Sequence, residues 1–564
     1  MIAELPPGLI LILGGLALVA LRPAARAYGA ILLALLAVIQ VLTLPMGTGA
    51  QAQLFDFSLV LLRVDGLAIV FGAIFAVAAL VNAVYGFSER DGLQQSSSLI
   101  YAGAALGAVF AGDLISLFVF WELTAIASVF LIWASRTDRA VRAGMRYLVI
   151  QIGSGVILFT GVLLHYRATG SVAFDKMVLG DLPSVLIFLA FGIKCAFPLL
   201  HNWLPDAYPK ATIFGSVVLS AFTTKLAVYA LARGFPGTEM LIWIGAAMAI
   251  YGSAFAMVED HARKLLSYSL MAQLGFLVVG AGIGTPLAIA GVAGHAVSSV
   301  FYQALLFMCV GAGIKATGKE RLSELGGLAR RMPWTTAFCC IGALTISSMP
   351  LTAAFLSKSL ILSAAAKESF QAVWLLLLAG AAATVVHTGI RIPHGVFFGA
   401  DKGLGAHEAP LSSRVAMAAI AVGLVAIGVM PDAFYALLPG TVSYDAYTLG
   451  HVVTQLQLVL FAALAYALMI HHDIYPVQGR AINLDSDWFY RRFLPDIYVG
   501  IRAGVSHIHF RALTRAQKRL ARFIAAVYRH HGPQGALART WPVGSTVLWV
   551  AVLLCVMLVF YYVE

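Results

Sequence analysis

Charge is what this sequence has least of. Only 11% of its 564 residues are Asp, Glu, Lys or Arg, while 61% are hydrophobic and the mean hydropathy is +0.89. A soluble domain carries about 25% charged residues and roughly 45–50% apolar ones. The chain has too little polar surface to coat the several soluble domains that its length would otherwise imply. Soluble catalysis, nucleic-acid binding and disorder are excluded as its main business. Cysteine is scarce as well: Cys195, Cys309, Cys339, Cys340 and Cys555 sit in apolar surroundings, never in a CxxC pattern. No disulfide framework, iron–sulfur ligand set or zinc knuckle can be read from them. The first apolar stretch, Leu5–Leu21, lacks a positively charged n-region and is expected to be a span, not a cleaved signal.

What the chain has is apolar length. About 20 apolar residues cross the ~30 Å hydrocarbon layer as a helix. Sixteen segments fit that template, near 8–21, 28–45, 66–86, 97–112, 114–134, 146–167, 184–200, 211–233, 239–258, 264–284, 287–314, 335–366, 371–391, 414–431, 448–470 and 543–562. Cytoplasmic loops collect Lys and Arg. Of the 37 such residues, 29 fall in loops after odd-numbered segments and five in loops after even-numbered ones. This asymmetry predicts both termini on the outer side, with 136–146, 315–331 and 471–542 in the cytoplasm. The last of these loops holds 11 Lys and Arg against four Asp. In it Ile501, Val505, Leu513, Leu520, Phe523 and Val527 recur at roughly helical spacing among Arg502, Arg511, Arg515, Lys518, Arg519 and Arg522. That pattern predicts an amphipathic helix along the membrane interface, either a lipid-binding surface or a strut against a neighbouring subunit.

Inside the spans each charge needs a reason, because one at mid-bilayer costs at least ~2.5–3.5 kcal/mol on insertion scales. The exceptions are Glu122, Lys194, Lys225 and Lys358. Lys and Glu, unlike Arg, can be tuned by burial to change protonation state. That choice fits proton handling better than scaffolding, although a structural Glu122–Lys194 ion pair is the plain alternative. Two spans are expected to be broken. Pro198 lacks an amide hydrogen, so the carbonyl of Lys194 loses its helical partner, and Pro350 frees the carbonyl of Ile346 in the same way. Paired interruptions of this kind mark transporters built from inverted repeats. A third feature is a polar stripe, His295, Ser298, Ser299, Tyr302 and Gln303, whose spacing puts all five on one helix face. Ser269 and Gln273 repeat it one span earlier. Such residues also glue membrane helices together, but their place between Lys225 and Lys358 suits a hydrated proton wire. His295 has no second histidine at ligand spacing, so no metal is expected.

The stretches FVFWELTAIAS (118–128), FGIKCAFPLLHNWLPDAYPKA (191–211), LSAFTTKLAVYALAR (219–233), ARKLLSYSLMAQLGF (262–276) and MPLTAAFLSK (349–358) resemble the signatures of one family. These are the antiporter-like proton-translocating membrane subunits of respiratory complex I and of Mrp-type multisubunit cation/proton antiporters. The resemblance covers roughly residues 60–430 and is greatest to the D-type subunit of Mrp-type systems. It implies an all-α polytopic fold of about 14 core helices with two inverted five-helix repeats and broken helices 7 and 12. A lateral helix and a last anchored span follow. On that frame 1–112 holds the N-terminal helices, 113–233 the first half-channel repeat (with 97–112) and 239–391 the second. Residues 392–470 form the C-terminal core helices, 471–542 the basic segment and 543–564 the anchor. By position Glu122 matches the family's fifth-helix glutamate, Lys194 and Lys225 its lysines on helices 7 and 8, and Lys358 the Lys/Glu of helix 12. Where some members carry H-x3-H-x3-K on the eleventh span, this chain has His295, Ser299 and Gln303.

The resemblance implies a transporter subunit without catalytic chemistry or cofactor of its own, in a bacterial inner membrane. Its partners would be other membrane subunits, lipid, protons and Na+. A pumping subunit of a redox-driven complex, the membrane half of an inorganic-carbon uptake system and a proton-tight scaffold are the rival expectations.

Overall fold

With almost no water in the bilayer, a crossing chain must satisfy its backbone internally, which leaves helices as the solution for a sequence without a barrel pattern. The computed structural model describes residues 5–55, 57–475, 485–535, 538–539 and 542–563. Residues 476–484, 536–537 and 540–541 of the expected basic segment lie outside the described residues. Among the described residues twelve helices are long and apolar enough to cross a membrane, and Pro7–Leu18, Leu182–Lys194 and Pro333–Ile346 are shorter apolar helices. The chain is a multi-pass membrane protein. Strands occur, among the described residues, at 47–64, where Gln51–Leu54 pairs antiparallel with Phe57–Val60 and Gly47–Thr48 with Arg63–Val64. The hydropathy pattern predicts no strands there.

The helices carrying the polar residues are the ones packed inside. Burial reaches 94% of the most apolar window of Ile213–Gly234, 100% for Ala262–Ile283 and 89% for Pro286–Thr317, against 33% for Pro23–Leu42. The polar stripes therefore face protein, where their partners are, while the outer helices present Leu and Val to lipid.

A repeat is visible in the helix ends. Thr137 caps the 32-residue helix Asp138–Thr169 by accepting from the Ala140 amide, and Gly170 ends it in the left-handed conformation. Residues 148 positions later do the same: Thr285 accepts from the Ala288 amide and Gly318 ends Pro286–Thr317. The isolated bridges Asp113–Ala173 and His261–Arg321 share that spacing. The helix breaks repeat as well, 152 positions apart. Ala196 and Leu199 in the first, and Ser348 and Leu351 in the second, adopt positive φ. The amides of Phe197 and Met349 both reach back five residues, to the carbonyls of Gly192 and Leu344.

Three expectations change in detail. The segment 335–366 is two helices, Pro333–Ile346 and Ala353–Lys367. The segment 211–233, expected as one helix, breaks at Phe222 into Ile213–Ala221 and Thr223–Gly234, with the Tyr101 hydroxyl accepting from the Thr223 amide (2.8 Å). Residues 371–391 extend to Phe398, through π-helical turns at Val385–Ile390 and His394–Phe398. Residues 1–483 and 484–564 form separate units. In the second, the helix Leu494–His531 carries the expected apolar and basic residues on one continuous 38-residue element, and Val543–Val563 follows.

Candidate functional site

The buried ammonium groups each donate to a backbone carbonyl. Lys194, fully buried, ends the helix Leu182–Lys194. Its Nζ donates to the Trp121 carbonyl (2.6 Å) and to Thr124 Oγ1 (2.7 Å) and lies 4.3 Å from the centre of the Trp121 ring. Glu122 follows Trp121 on the helix Leu114–Trp133. Its Oε1 is buried with no hydrogen-bond partner, and the carboxyl occupies the space where a side chain on Gly155 would stand. Lys194 therefore bonds to the residue that precedes Glu122 in the chain, which puts the two groups at neighbouring places.

Lys225, 1% exposed, reaches back to the Ser220 carbonyl (2.9 Å), which the break at Phe222 leaves without its usual amide. No proline or glycine occupies 221–223, so nothing in the composition marks this break. Lys358, 3% exposed, donates to the Ile346 carbonyl (2.9 Å). This is the carbonyl that Pro350 orphans, so the ammonium replaces the missing amide hydrogen. Its Nζ lies 5.0 Å from the ring centre of Phe276, which also faces His295.

A continuous hydrogen-bonded chain starts beside Ser357, the residue before Lys358. Ser357 donates to Ser298 Oγ (3.2 Å) and meets His295 Nδ1 (3.1 Å). His295 Nε2 meets the Tyr302 hydroxyl (3.3 Å), which donates to Gln273 Oε1 (3.3 Å). The Gln273 amide then donates to Thr384 Oγ1 (3.1 Å). The path crosses four helices. Two stripe residues stand apart. Ser299 turns onto the Ala296 carbonyl of its own helix (3.2 Å), and neither amide atom of buried Gln303 has a partner. A shared face does not guarantee a shared network.

Sequence reasoning missed the continuation along the next helix. Ser269 accepts from Thr388 Oγ1 (2.9 Å), and Thr388 meets His387 Nδ1 (2.6 Å), while His387 Nε2 is buried without a partner. Arg391, 2% exposed, donates to the Met257 carbonyl (2.9 Å) at the end of Glu239–Val258. A signal existed: Thr384, His387, Thr388 and Arg391 fall at i, i+3, i+4 and i+7, the spacing that singled out the His295 stripe. His387 and Thr388 lie on the π-helical turn Val385–Ile390, and such turns often accompany functional sites.

Chemically, the arrangement sets ionisable groups among hydroxyls, an imidazole and an amide, close to breaks in the helices. Residues 111–385 match the family described as NADH:quinone oxidoreductase/Mrp antiporter, TM. The chain is 30% identical to a probable K(+)/H(+) antiporter protein of Rhizobium meliloti (strain 1021), over 66% of this chain and 40% of that protein. It is 32% identical to one of the Na(+)/H(+) antiporter subunits of Alkalihalophilus pseudofirmus, over 47% of this chain and 58% of the other. The matches thus span about half the length of these relatives. In fold it resembles a chain of the Mrp complex from Dietzia sp. DQ12-45-1b, with a TM-score of 0.67 and 19% identity, over 84% of this chain and 99% of that one. The helical core at 111–385 thus carries the transmembrane domain of the NADH:quinone oxidoreductase/Mrp antiporter family.

Proposed function

We propose that this chain is a proton-translocating subunit of a multisubunit monovalent cation/proton antiporter, with Na+ as the exchanged cation, in a bacterial inner membrane. The observation that carries the reading is the hydrogen-bonded chain from Ser298 through Ser357, His295, Tyr302 and Gln273 to Thr384, with Ser357 next in the chain to buried Lys358. Protons pass along it, and Glu122–Lys194 couples its state to a neighbouring subunit. The charge asymmetry of the loops supports termini on the outer side. Similarity to the Alkalihalophilus protein supports Na+ and a hetero-oligomeric assembly.

Lys194→Ala and Lys358→Ala, each in the assembled complex in everted vesicles, test the reading. Cation-driven proton movement should fall roughly a hundredfold, the scale of losing a positioned proton carrier. Retention of parental rates would leave a scaffold. A second reading, a pumping subunit of a redox complex, is favoured by the family's other branch, NADH:quinone oxidoreductase. Proton movement driven by an electron donor, with no response to Na+, would select it.

A further inference from the structure

Lys358 borders a cavity of roughly 350 Å3, and the same cavity is lined by Ser363, Tyr444, His451, Thr454 and Gln455. Ser363 and the Tyr444 hydroxyl are 2.8 Å apart, and that hydroxyl meets His451 Nδ1 at 3.4 Å, with the two rings 5.7 Å apart. Lys358 is buried and His451 is exposed. The residues between them therefore lead from the buried ammonium to the surface. Their face follows from the crossings. Leu411–Val429 leaves the basic-loop side, so 430–448, which joins it to Leu449–His471, lies on the opposite side.

The segment that carries Tyr444 is tied to the broken helix at two places. Besides Tyr444 on Ser363, the Tyr447 hydroxyl accepts from the Leu351 amide (3.1 Å), donates to the Gly428 carbonyl, and its ring packs 5.2 Å from that of Phe355. Leu351 is one of the positive-φ residues of the break. A shift at the break thus pulls on Tyr447, and a shift of Ala353–Lys367 pulls on Tyr444.

We propose that residues 440–448 form a tyrosine lid over the Lys358 cavity, moved by the helix break, and that Ser363, Tyr444 and His451 carry protons between Lys358 and the surface away from the basic loops. This rests on the proton-translocating reading. The transfer is a proton hop: the Lys358 ammonium gives up one proton to cavity water, the Tyr444 and Ser363 hydroxyls each accept one and release one, and His451 passes it to bulk. No other reactant is needed. The ionisable groups around the cavity are Lys358 from the broken helix, Tyr444 from the lid and His451 from Leu449–His471, with Asp445 next to Tyr444 in the chain.

The test uses the assembled complex. Tyr444→Phe and His451→Gln should each slow cation-driven proton movement roughly three- to tenfold, the scale of one hydrogen bond. Ser363→Cys should react with a membrane-impermeant thiol reagent added outside intact cells, above the background of the parent's own cysteines. It should react roughly three- to tenfold faster when Tyr444→Phe is also present. Parental rates in both transport variants overturn the lid. So does labelling of the Ser363→Cys variant from the cytoplasmic side alone, or at one rate with and without the Tyr444 hydroxyl. Lys358→Ala separates the two levels: if it alone abolishes transport, the lid fails and the proton reading stands, whereas if it leaves transport intact, the proton reading itself fails.

Discussion

The two broken helices share a backbone and differ in what fills it. In the first, the Ile193 carbonyl accepts from the Trp203 indole (3.0 Å), and Lys194 turns away to the neighbouring helix at Trp121 and Thr124. In the second, 152 positions on and one residue later in the turn, the Ile346 carbonyl accepts from Lys358 itself, beside a cavity. An indole N–H is a fixed donor. An ammonium can lose its proton, and when it does the bond that replaces the helical amide weakens. The first break therefore serves as a stable bend that presents Lys194 to Glu122, while the second ties backbone geometry to protonation. One duplicated backbone motif thus meets a fixed donor in one half and an ionisable donor in the other.

Gly155→Ala strikes the first half hardest. A methyl group there occupies the space of the Glu122 carboxyl, so Glu122 must leave its niche while Lys194 keeps both hydrogen bonds. Coupled transport should drop roughly tenfold, the scale of a 1.4 kcal/mol change, in vesicles whose complex content is unchanged. An unaffected rate would detach Glu122 from the coupling role.

Trp203→Phe sharpens the contrast between the two carbonyl partners. It keeps a ring and removes the indole bond to the Ile193 carbonyl, which still accepts from the Ala196 amide (3.1 Å), so the cost is that of one net hydrogen bond, ~0.5–1.5 kcal/mol. The purified chain should melt at lower temperature while residual transport keeps its cation dependence. A change in ion coupling with no change in melting would reverse the assignment of the first break as a structural bend.

The smallest effect concerns the loops after the long helices. Glu320 is held down to about 2 by hydrogen bonding from His261 and by the Arg263 guanidinium, despite partial burial. Its position in the first copy is Val172, whose carbonyl accepts from Leu114 as that of Glu320 accepts from Ala262. A depressed carboxylate stabilises the fold above its unfolded value of about 4.3 and loses that contribution as pH falls toward 2. Hydrogen exchange should show 318–332 loosening across that window before 170–174 does.

Much of this was legible in the sequence, for reasons of elementary chemistry. Pro198 and Pro350 delete amide hydrogens, so both breaks were predictable, and the partner of the Ile346 carbonyl stood eight residues beyond Pro350. The scarcity of charge made Glu122, Lys194, Lys225 and Lys358 conspicuous. What stayed hidden depends on distant neighbours. The break at Phe222 is held by Tyr101, more than a hundred residues away in the chain. Face membership placed Ser299 and Gln303 with His295 but could not say that one would bond its own backbone. His387 escaped because it lies at the edge of an apolar segment that hydropathy ends at 391, and π-helical turns have no composition of their own.

The most direct test of the central idea, that buried lysines act by releasing protons and not merely by carrying charge, is cation-driven proton movement in everted vesicles bearing Lys358→Arg. Arginine keeps the positive charge and can still donate to the Ile346 carbonyl, but it does not give up its proton in a protein. The account predicts a loss as deep as that of Lys358→Ala, with the complex assembled. Transport at the parental rate with arginine at 358 would contradict it.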